Sequence, residues 1–307
     1  LITDTGTAAG AVVDADYTVA LGSVKRGHVL YPGSEYCGRI LYSTIGIPDC
    51  AREEIGCRTH FMEAEEAEEL LPLRPRNSHK GKNGHVGIFA GSDGMAGAAL
   101  LASQGALYAG AGKVSLTTVP AAASQLAGLV PEVMVSAISG IDPYFTSRGV
   151  KEAVEKAAQY DAVAVGCGIG RDPETCRFVS SFLHSVSGTV VADADALYAM
   201  AVRPECGRDC PGTLIMTPHV GEFSLLTGME AGEIERDRIE AARAYAAGHE
   251  TVLLLKGVPT VTALPDGTVW VKSTGKPGMA SGGMGDTLTG SIAALAAQGM
   301  EPGPAAA

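Results

Sequence analysis

Short apolar runs recur from residue 80 onward, each closed by a glycine-rich or polar turn and then by a stretch with helical spacing. His85–Ala90 is apolar on both faces and predicts a buried strand. Gly91-Ser-Asp-Gly-Met-Ala-Gly97 follows it, then a small-residue helix over Ala98–Ala109. Lys113–Val119 predicts the next strand, Val150–Gln159 a helix, and Asp161–Val165 a strand running into Gly166-Cys-Gly-Ile-Gly170. Arg177–Ser185 has helical spacing, and Thr189–Ala192 predicts a strand closed by Asp193-Ala-Asp195. Thr213–Met216 then leads into Thr217-Pro-His-Val-Gly-Glu222. Ile234–Gly248 predicts one helix, Thr251–Leu255 a strand, and Lys256-Gly-Val-Pro-Thr260 the turn after it. Val261–Ala263 and Val269–Lys272 flank Pro265-Asp-Gly267, a hairpin signal. A last helix is expected over Thr287–Gln298, after Ala280-Ser-Gly-Gly-Met-Gly-Asp286. Strands alternating with helices imply an α/β fold with a mostly parallel sheet covered on both faces. Ligands bind such sheets outside the carboxyl ends of the strands, where all these polar and glycine clusters fall.

The chain before residue 80 is organised differently. Residues 1–48 predict short strands, Ala11–Leu21 and Arg39–Ile47, separated by Lys25, Gly27 and Pro32-Gly33. That piece has too little apolar material for a core of its own, so it is expected to dock on another unit or to be what remains of a larger domain. Residues 49–79 read as a linker and lead-in. Glu63, Glu65, Glu66, Glu68 and Glu69 form a solvated acidic run on an exposed helix or linker, ended by Pro72 and Pro75.

Composition narrows the partners. With 46% hydrophobic and 19% charged residues, the 307-residue chain has the balance of a soluble globular protein, and 40 glycines suit close-packed α/β layers. The net charge of −11 comes with no dense basic cluster, which argues against nucleic acid as partner. No run of about eighteen apolar residues predicts a membrane span. Seven cysteines without a CxxC pair are expected to be reduced, unlinked thiols in a cytoplasmic protein.

The most chemically specific segment is Ala280–Asp286. Glycines let backbone N–H groups approach a phosphate closely, and the following helix adds partial positive charge. An aspartate there would repel a phosphate. Two roles fit it: a base that takes the proton of a hydroxyl attacking a phosphoryl group, or a helix-terminal charge with no chemistry. Competing phosphate motifs fail. No G-x-x-x-x-G-K-[ST] occurs, since Gly112-Lys113 is followed by Val114 and Leu107 stands where the first glycine belongs. Gly166–Gly170 departs from a dinucleotide fingerprint at Arg171. His219 with Glu222 makes no zinc triad, and no G-x-S-x-G is present, so no metal-ligating residues are assigned.

In this order the motifs resemble those of ribokinase-like enzymes, and within them the ADP/ATP-dependent NAD(P)H-hydrate dehydratases. The segments that carry the resemblance are His79-Lys-Gly81, Ala90–Ala98, Ala109-Gly-Ala-Gly112, Gly166–Gly170, Asp193-Ala-Asp-Ala-Leu197, Thr217–Glu222, Lys256–Thr260 and Thr274–Asp286. Together they span roughly residues 70–300. Residues 1–48 resemble the last part of the NAD(P)H-hydrate epimerase domain that precedes the dehydratase in bifunctional proteins. Asp4-Thr-Gly6, Lys25-Arg-Gly27 and Gly38–Pro48 carry that match. The resemblance thus implies an epimerase remnant over 1–48 and a dehydratase domain over 80–307 that stops short of the family's usual end, both from a longer gene product. Cys167 stands where the family usually has proline.

The resemblance implies a reaction and roles. The hydroxyl of (6S)-NAD(P)HX would be phosphorylated by ADP or ATP with Mg²⁺, then lost as phosphate to restore NAD(P)H. Asp286 would be the catalytic base. Ala98, Gly168 and His219 would contact the hydrate, although small size at Ala98 and Gly168 also suits helix–sheet packing, and His219 also suits a turn hydrogen bond. Lys256, Gly257, Val258, Pro259, Thr260, Gly282, Gly283 and Gly285 would meet the nucleotide. Asp193 and Asp195 could hold Mg²⁺ indirectly or orient a loop. A K⁺ site would lie in the missing part of the epimerase domain, and a homo-oligomer is expected. Two other readings share the anion-binding turn: a ribokinase-like kinase of a vitamin precursor, and a nucleotide-binding module without catalysis.

Overall fold

The computed structural model describes residues 1–139 and 143–307. Its strands, in chain order, are β1 (Tyr17–Leu21), β2 (Arg39–Ser43), β3 (Thr59–Phe61), β4 (His85–Phe89), β5 (Lys113–Thr118) and β6 (Val133–Ala137). They continue with β7 (Ala162–Val165), β8 (Thr189–Ala192), β9 (Thr213–Met216), β10 (Val252–Leu255), β11 (Thr260–Ala263) and β12 (Val269–Lys272). A ten-stranded sheet runs in the order β3-β12-β11-β10-β9-β8-β7-β4-β5-β6. β11 is antiparallel to both neighbours, β10 and β12, and the remaining pairs are parallel. All four residues of β7 and of β10 are buried, as strands covered on both faces must be.

Small residues set the layer spacing. The helices Ala96–Tyr108 and Met284–Ala297 pack backbone to backbone. A Cβ on Gly105 would lie 2.2 Å from the Thr287 carbonyl oxygen, and one on Gly290 would lie 1.8 Å from that of Ala102. Only glycine permits that approach. On the other side of the core, Phe89, Phe178 and Phe182 pack ring against ring, with centroids 4.8 and 5.6 Å apart.

The N-terminal piece forms the two expected strands, shortened to β1 and β2, which pair in parallel with Tyr17 opposite Arg39. Two one-turn helices, Arg26–Val29 and Gly33–Tyr36, join them where only turns were expected. Tyr17, Val19, Leu21, Leu41 and Tyr42 are exposed, so the pair has no apolar core of its own. It docks on the large unit. Leu30 is buried in the main core, and Arg26 pairs with Glu240 at 2.7 Å and donates to Thr59 at 2.9 Å. The acidic run is the exposed helix Ala64–Leu70. Just before it, β3 adds an edge strand to the sheet through β12, pairing the lead-in segment with the domain that follows.

Three helical expectations change. The helix expected over Arg177–Ser185 runs Pro173–Leu183, because the Asp172 side chain accepts from Glu174 N and Pro173 opens the helix. Ile234–Gly248 is split into Ala231–Arg236 and Arg238–His249, because the Asp237 side chain accepts from Glu240 N and starts a new helix. The last helix begins at Met284 instead of Thr287, with Gly283 as its N-cap at φ 88°.

Candidate active site

The site is assembled from strand ends. β7 runs into the turn Gly166–Gly170, whose three glycines take φ of 127°, 64° and 92°. Here the left-handed conformation requires glycine. Gly168 presses on the helix that follows β4: an added Cβ would lie 2.9 Å from the Ala98 Cβ. Ser92 Oγ donates to the Gly168 carbonyl at 2.8 Å, tying the turns after β4 and β7 together. Ala98 and Gly168 are therefore neighbours, as expected of two residues that line one wall.

A charged centre lies beside that wall. Asp193, at the end of β8, is 2% exposed and accepts from Lys256 Nζ at 2.9 Å and from Thr289 Oγ1 at 2.8 Å. Lys256 Nζ also lies 3.7 Å from Glu222 Oε2. Burial pulls the Lys256 pKa down, but Asp193 and Glu222 outweigh it and leave the ammonium above its ordinary value. His219 joins the cluster through a parallel backbone bridge to Lys256. Its Nδ1 accepts from Glu222 N at 3.2 Å while Glu222 Oε2 accepts from His219 N at 2.9 Å, a reciprocal cap on the helix Val220–Thr227. The turn hydrogen bond is thus present, and it leaves the neutral ring's proton on Nε2 as a donor.

The glycine turn completes the arrangement. Because the last helix starts at Met284, Gly285 and Asp286 lie in its first turn, where backbone N–H groups have no partner within the helix. A Cβ on Gly285 would sit 3.5 Å from both Asp193 Oδ2 and Lys256 Nζ, so this turn faces the ion pair directly. Burial raises the Asp286 carboxyl above its ordinary value. A hydrogen bond from the Cys167 thiol lowers it, Asp193 raises it, Lys256 lowers it and Asp195 raises it. The Cys167 thiol is itself pushed well up by burial, which makes it a hydrogen-bond donor and not a nucleophile.

The remaining expected residues stand farther out. Gly257, at φ 152°, packs on the buried Arg238 guanidinium, which donates to the carbonyls of Leu255 and Lys256 at 3.3 and 3.0 Å. Thr260 Oγ1 donates to the Gly257 carbonyl at 3.2 Å, and Thr260 pairs with Lys272, placing it on the outer arm of the β10–β11 turn. Val258 is exposed on that turn, with Pro259 next to it. Gly282 borders open space, and nothing in its surroundings demands glycine.

Among the described residues, no group of three or more His, Cys, Asp and Glu side chains could hold a metal. Asp193 is committed to Lys256 and Thr289, and Asp195 to Gly170 N at 3.0 Å and Arg171 at 2.8 Å. This donor set fits Mg²⁺ only as an ion carried on phosphate oxygens, its usual mode of binding. The seven cysteines are all free thiols.

Residues 86–307 match the profile of a family described as NAD(P)H-hydrate dehydratase. The chain belongs to that family. The bifunctional NAD(P)H-hydrate repair enzyme Nnr of Moorella thermoacetica is 40% identical over 309 residues, covering 99% of this chain and 58% of that protein. The ADP-dependent (S)-NAD(P)H-hydrate dehydratase of Bacillus subtilis is 37% identical over 234 residues, covering 76% of this chain and 79% of that protein. Among solved structures, the ADP/ATP-dependent NAD(P)H-hydrate dehydratase of B. subtilis, co-crystallised with ATP/Mg²⁺, aligns with a TM-score of 0.67 at 35% identity. That alignment covers 80% of this chain and 84% of that one. A ribokinase-like superfamily protein of Enterococcus faecalis shares the fold, with a TM-score of 0.69 at 22% identity over 81% of this chain and 83% of that one. The chain spans a little over half, 58%, of the Moorella repair enzyme. Two polar groups stand at the Lys256–Asp193 pair that sequence reasoning did not name there, Glu222 and Thr289. The spacing of Glu222 three residues after His219 was the available signal, since it is that of a capping box.

Proposed function

We propose that this chain dehydrates (6S)-NAD(P)HX to NAD(P)H at the expense of ADP or ATP, as a metabolite-repair lyase. The observation that carries this reading is the position of Asp286, in the first turn of a helix whose Gly285 faces the Lys256–Asp193 pair. Partnerless N–H groups of Gly283, Met284, Gly285 and Asp286 are placed to receive the transferred phosphoryl, and Lys256 offsets its charge. The hydrate hydroxyl oxygen forms the new bond to phosphorus as the nucleotide leaving group departs, and its proton passes to Asp286. The ring nitrogen lone pair then expels phosphate, and loss of a proton from the adjacent ring carbon restores the dihydropyridine. Mg²⁺ carried on the nucleotide would supply further charge neutralisation. Ala98 and Gly168 leave room for the ring, His219 Nε2 offers it a donor, and Gly257–Thr260 border the nucleotide.

The same reading takes residues 1–48 as the tail of an epimerase domain, 49–79 as lead-in and 80–307 as the dehydratase. In support, the alignment with the bifunctional Moorella protein covers 99% of the chain, while that with the B. subtilis dehydratase covers 76%. It extends to a cytoplasmic homo-oligomer whose parent protein also interconverts the R and S hydrates, with K⁺ belonging to the epimerase part. No helix among the described residues is long and apolar enough to cross a membrane. The deciding experiment incubates the protein with NADHX and either nucleotide and follows reduced-nicotinamide absorbance. Restored NADH with release of phosphate is expected. A stable phosphorylated hydrate without restored NADH would overturn the lyase in favour of a kinase, and inertness towards both nucleotides would overturn both.

A further inference from the structure

A cavity of about 360 Å³ lies between the N-terminal piece and the outer edge of the large sheet. Its size is within the roughly 300–1,000 Å³ of ordinary small-molecule sites. His28, Ile40 and Tyr42 line one side, and Phe61, Val258 and Ser273 line the other. The second group fixes where it opens. β12 runs in the same direction as β10, since β11 is antiparallel to both, and β3 is parallel to β12. Phe61 ends β3, Ser273 follows β12, and Val258 follows β10 by three residues, so all three stand at the carboxyl edge that carries Lys256 and Asp286. Val258 belongs to the Lys256–Thr260 turn, and Ser273 directly precedes the loop that leads to the glycines of the phosphoryl site.

The lining has a definite chemistry. Three rings, those of His28, Tyr42 and Phe61, stand among aliphatic side chains, with hydroxyls at Ser34 and Ser273 and one carboxylate, that of Glu63. Tyr42 Oη donates to the Gly22 carbonyl at 3.2 Å, and His28 Nδ1 accepts from Lys25 N at 3.3 Å, so both rings are held in place. Such walls suit a flat heteroaromatic group with edge hydrogen-bonding atoms. The N-terminal piece is anchored at this distance by the Arg26–Glu240 ion pair and the Arg26–Thr59 hydrogen bond.

We infer that this cavity receives the heterocyclic base of the adenine nucleotide, so that residues 1–48, through Tyr42 and its neighbours, form one wall of the nucleotide site. The inference rests on the proposed use of ADP or ATP and adds a part of the chain to which that reading gives no role in the dehydration. It predicts that the base end and the phosphate end respond separately to mutation.

The test is calorimetric titration of the whole chain with ADP and, separately, with inorganic pyrophosphate, for the parent, Tyr42→Ala and Ile40→Trp. Tyr42 is 47% exposed, and the thermal midpoint of each variant is measured alongside to check that it is folded, while the tryptophan fills the cavity. Both variants are expected to bind ADP about tenfold more weakly, the scale of losing one aromatic contact to a base, and to bind pyrophosphate as the parent does. In turnover, KM for the nucleotide rises while kcat and the KM for the hydrate hold. ADP affinity within threefold of the parent in both variants, or an equal loss for ADP and pyrophosphate, would overturn the inference. A parent that binds pyrophosphate but not ADP would overturn the proposed co-substrate instead.

Discussion

Replacing Asp286 by asparagine separates chemistry from architecture. The substitution keeps shape and removes the carboxylate, so a general base is lost, typically at a cost of roughly 10²–10⁴ in turnover. The backbone donors of the helix start survive, and a negative charge beside the phosphates disappears, so nucleotide affinity should hold or tighten. Stability follows from the raised pKa. Burial, the chief cause, makes ionisation of Asp286 unfavourable in the folded state, so its cost is absent below the unfolded-state value of about 3.9. The cost grows as pH rises through the higher folded-state value and is complete at neutral pH. Asparagine removes that cost but forfeits a favourable charge at the helix N-terminus, about 0.3–1 kcal/mol. The two oppose each other, which leaves the thermal midpoint at neutral pH within roughly 2–4 °C of the parent. Gly283, not Asp286, is the N-cap of this helix and no side-chain cap hydrogen bond is present, so a purely structural Asp286 acts only through its charge at the helix start. Such a role predicts a loss of about 1 kcal/mol with unchanged turnover per folded molecule. Thermal midpoint, ADP affinity and NADHX turnover should be measured on one preparation. Near-parental turnover would remove Asp286 from the mechanism.

Cys167→Ala deletes the hydrogen bond that favours the Asp286 carboxylate, so the acid limb of the pH–rate profile should move to higher pH. An unmoved limb would show that the thiol does not act on Asp286. Lys256→Met strands the buried Asp193 with Thr289 alone, and a loss of roughly 3 kcal/mol is expected, the low end for a broken buried pair because Lys256 is partly exposed. Since the Lys256 pKa is raised, its contribution is complete at neutral pH and is lost only as pH climbs through that higher value, so the denaturant midpoint at pH 7 should fall. An unchanged midpoint would mean that the ion pair contributes nothing to the fold.

Most of the sheet was legible because most strands of the large domain are short, apolar and closed by glycine or a polar turn. β4, β7, β8 and β10 fall where spacing put them, within a residue or so. The start of the last helix was not, because Met284 and Gly285 carry no helix-start signal and the cap is a glycine held at positive φ. β3 and β6 were missed: Thr59–Phe61 is three residues long and acquires its identity only from β12, and Val133–Ala137 is an edge strand paired only with β5. In the candidate site, Ala98, Gly168, His219, Lys256 and Asp286 were named through the resemblance of their segments to the family, and the fold brings them to one edge of the sheet. The partners of Asp193 could not be named: Lys256 and Thr289 lie 63 and 96 positions away, and nothing in spacing along the chain reports a contact made by the sheet order.

The interlocking of Gly105 with Thr287 and of Gly290 with Ala102 has a mechanical consequence. A helix keyed to its neighbour at two backbone contacts cannot slide or rotate without breaking both. The glycine turn at its start is then a fixed datum, and the exposed run from Ser273 to Gly282 meets it at Gly283, whose φ of 88° turns the chain into the keyed helix.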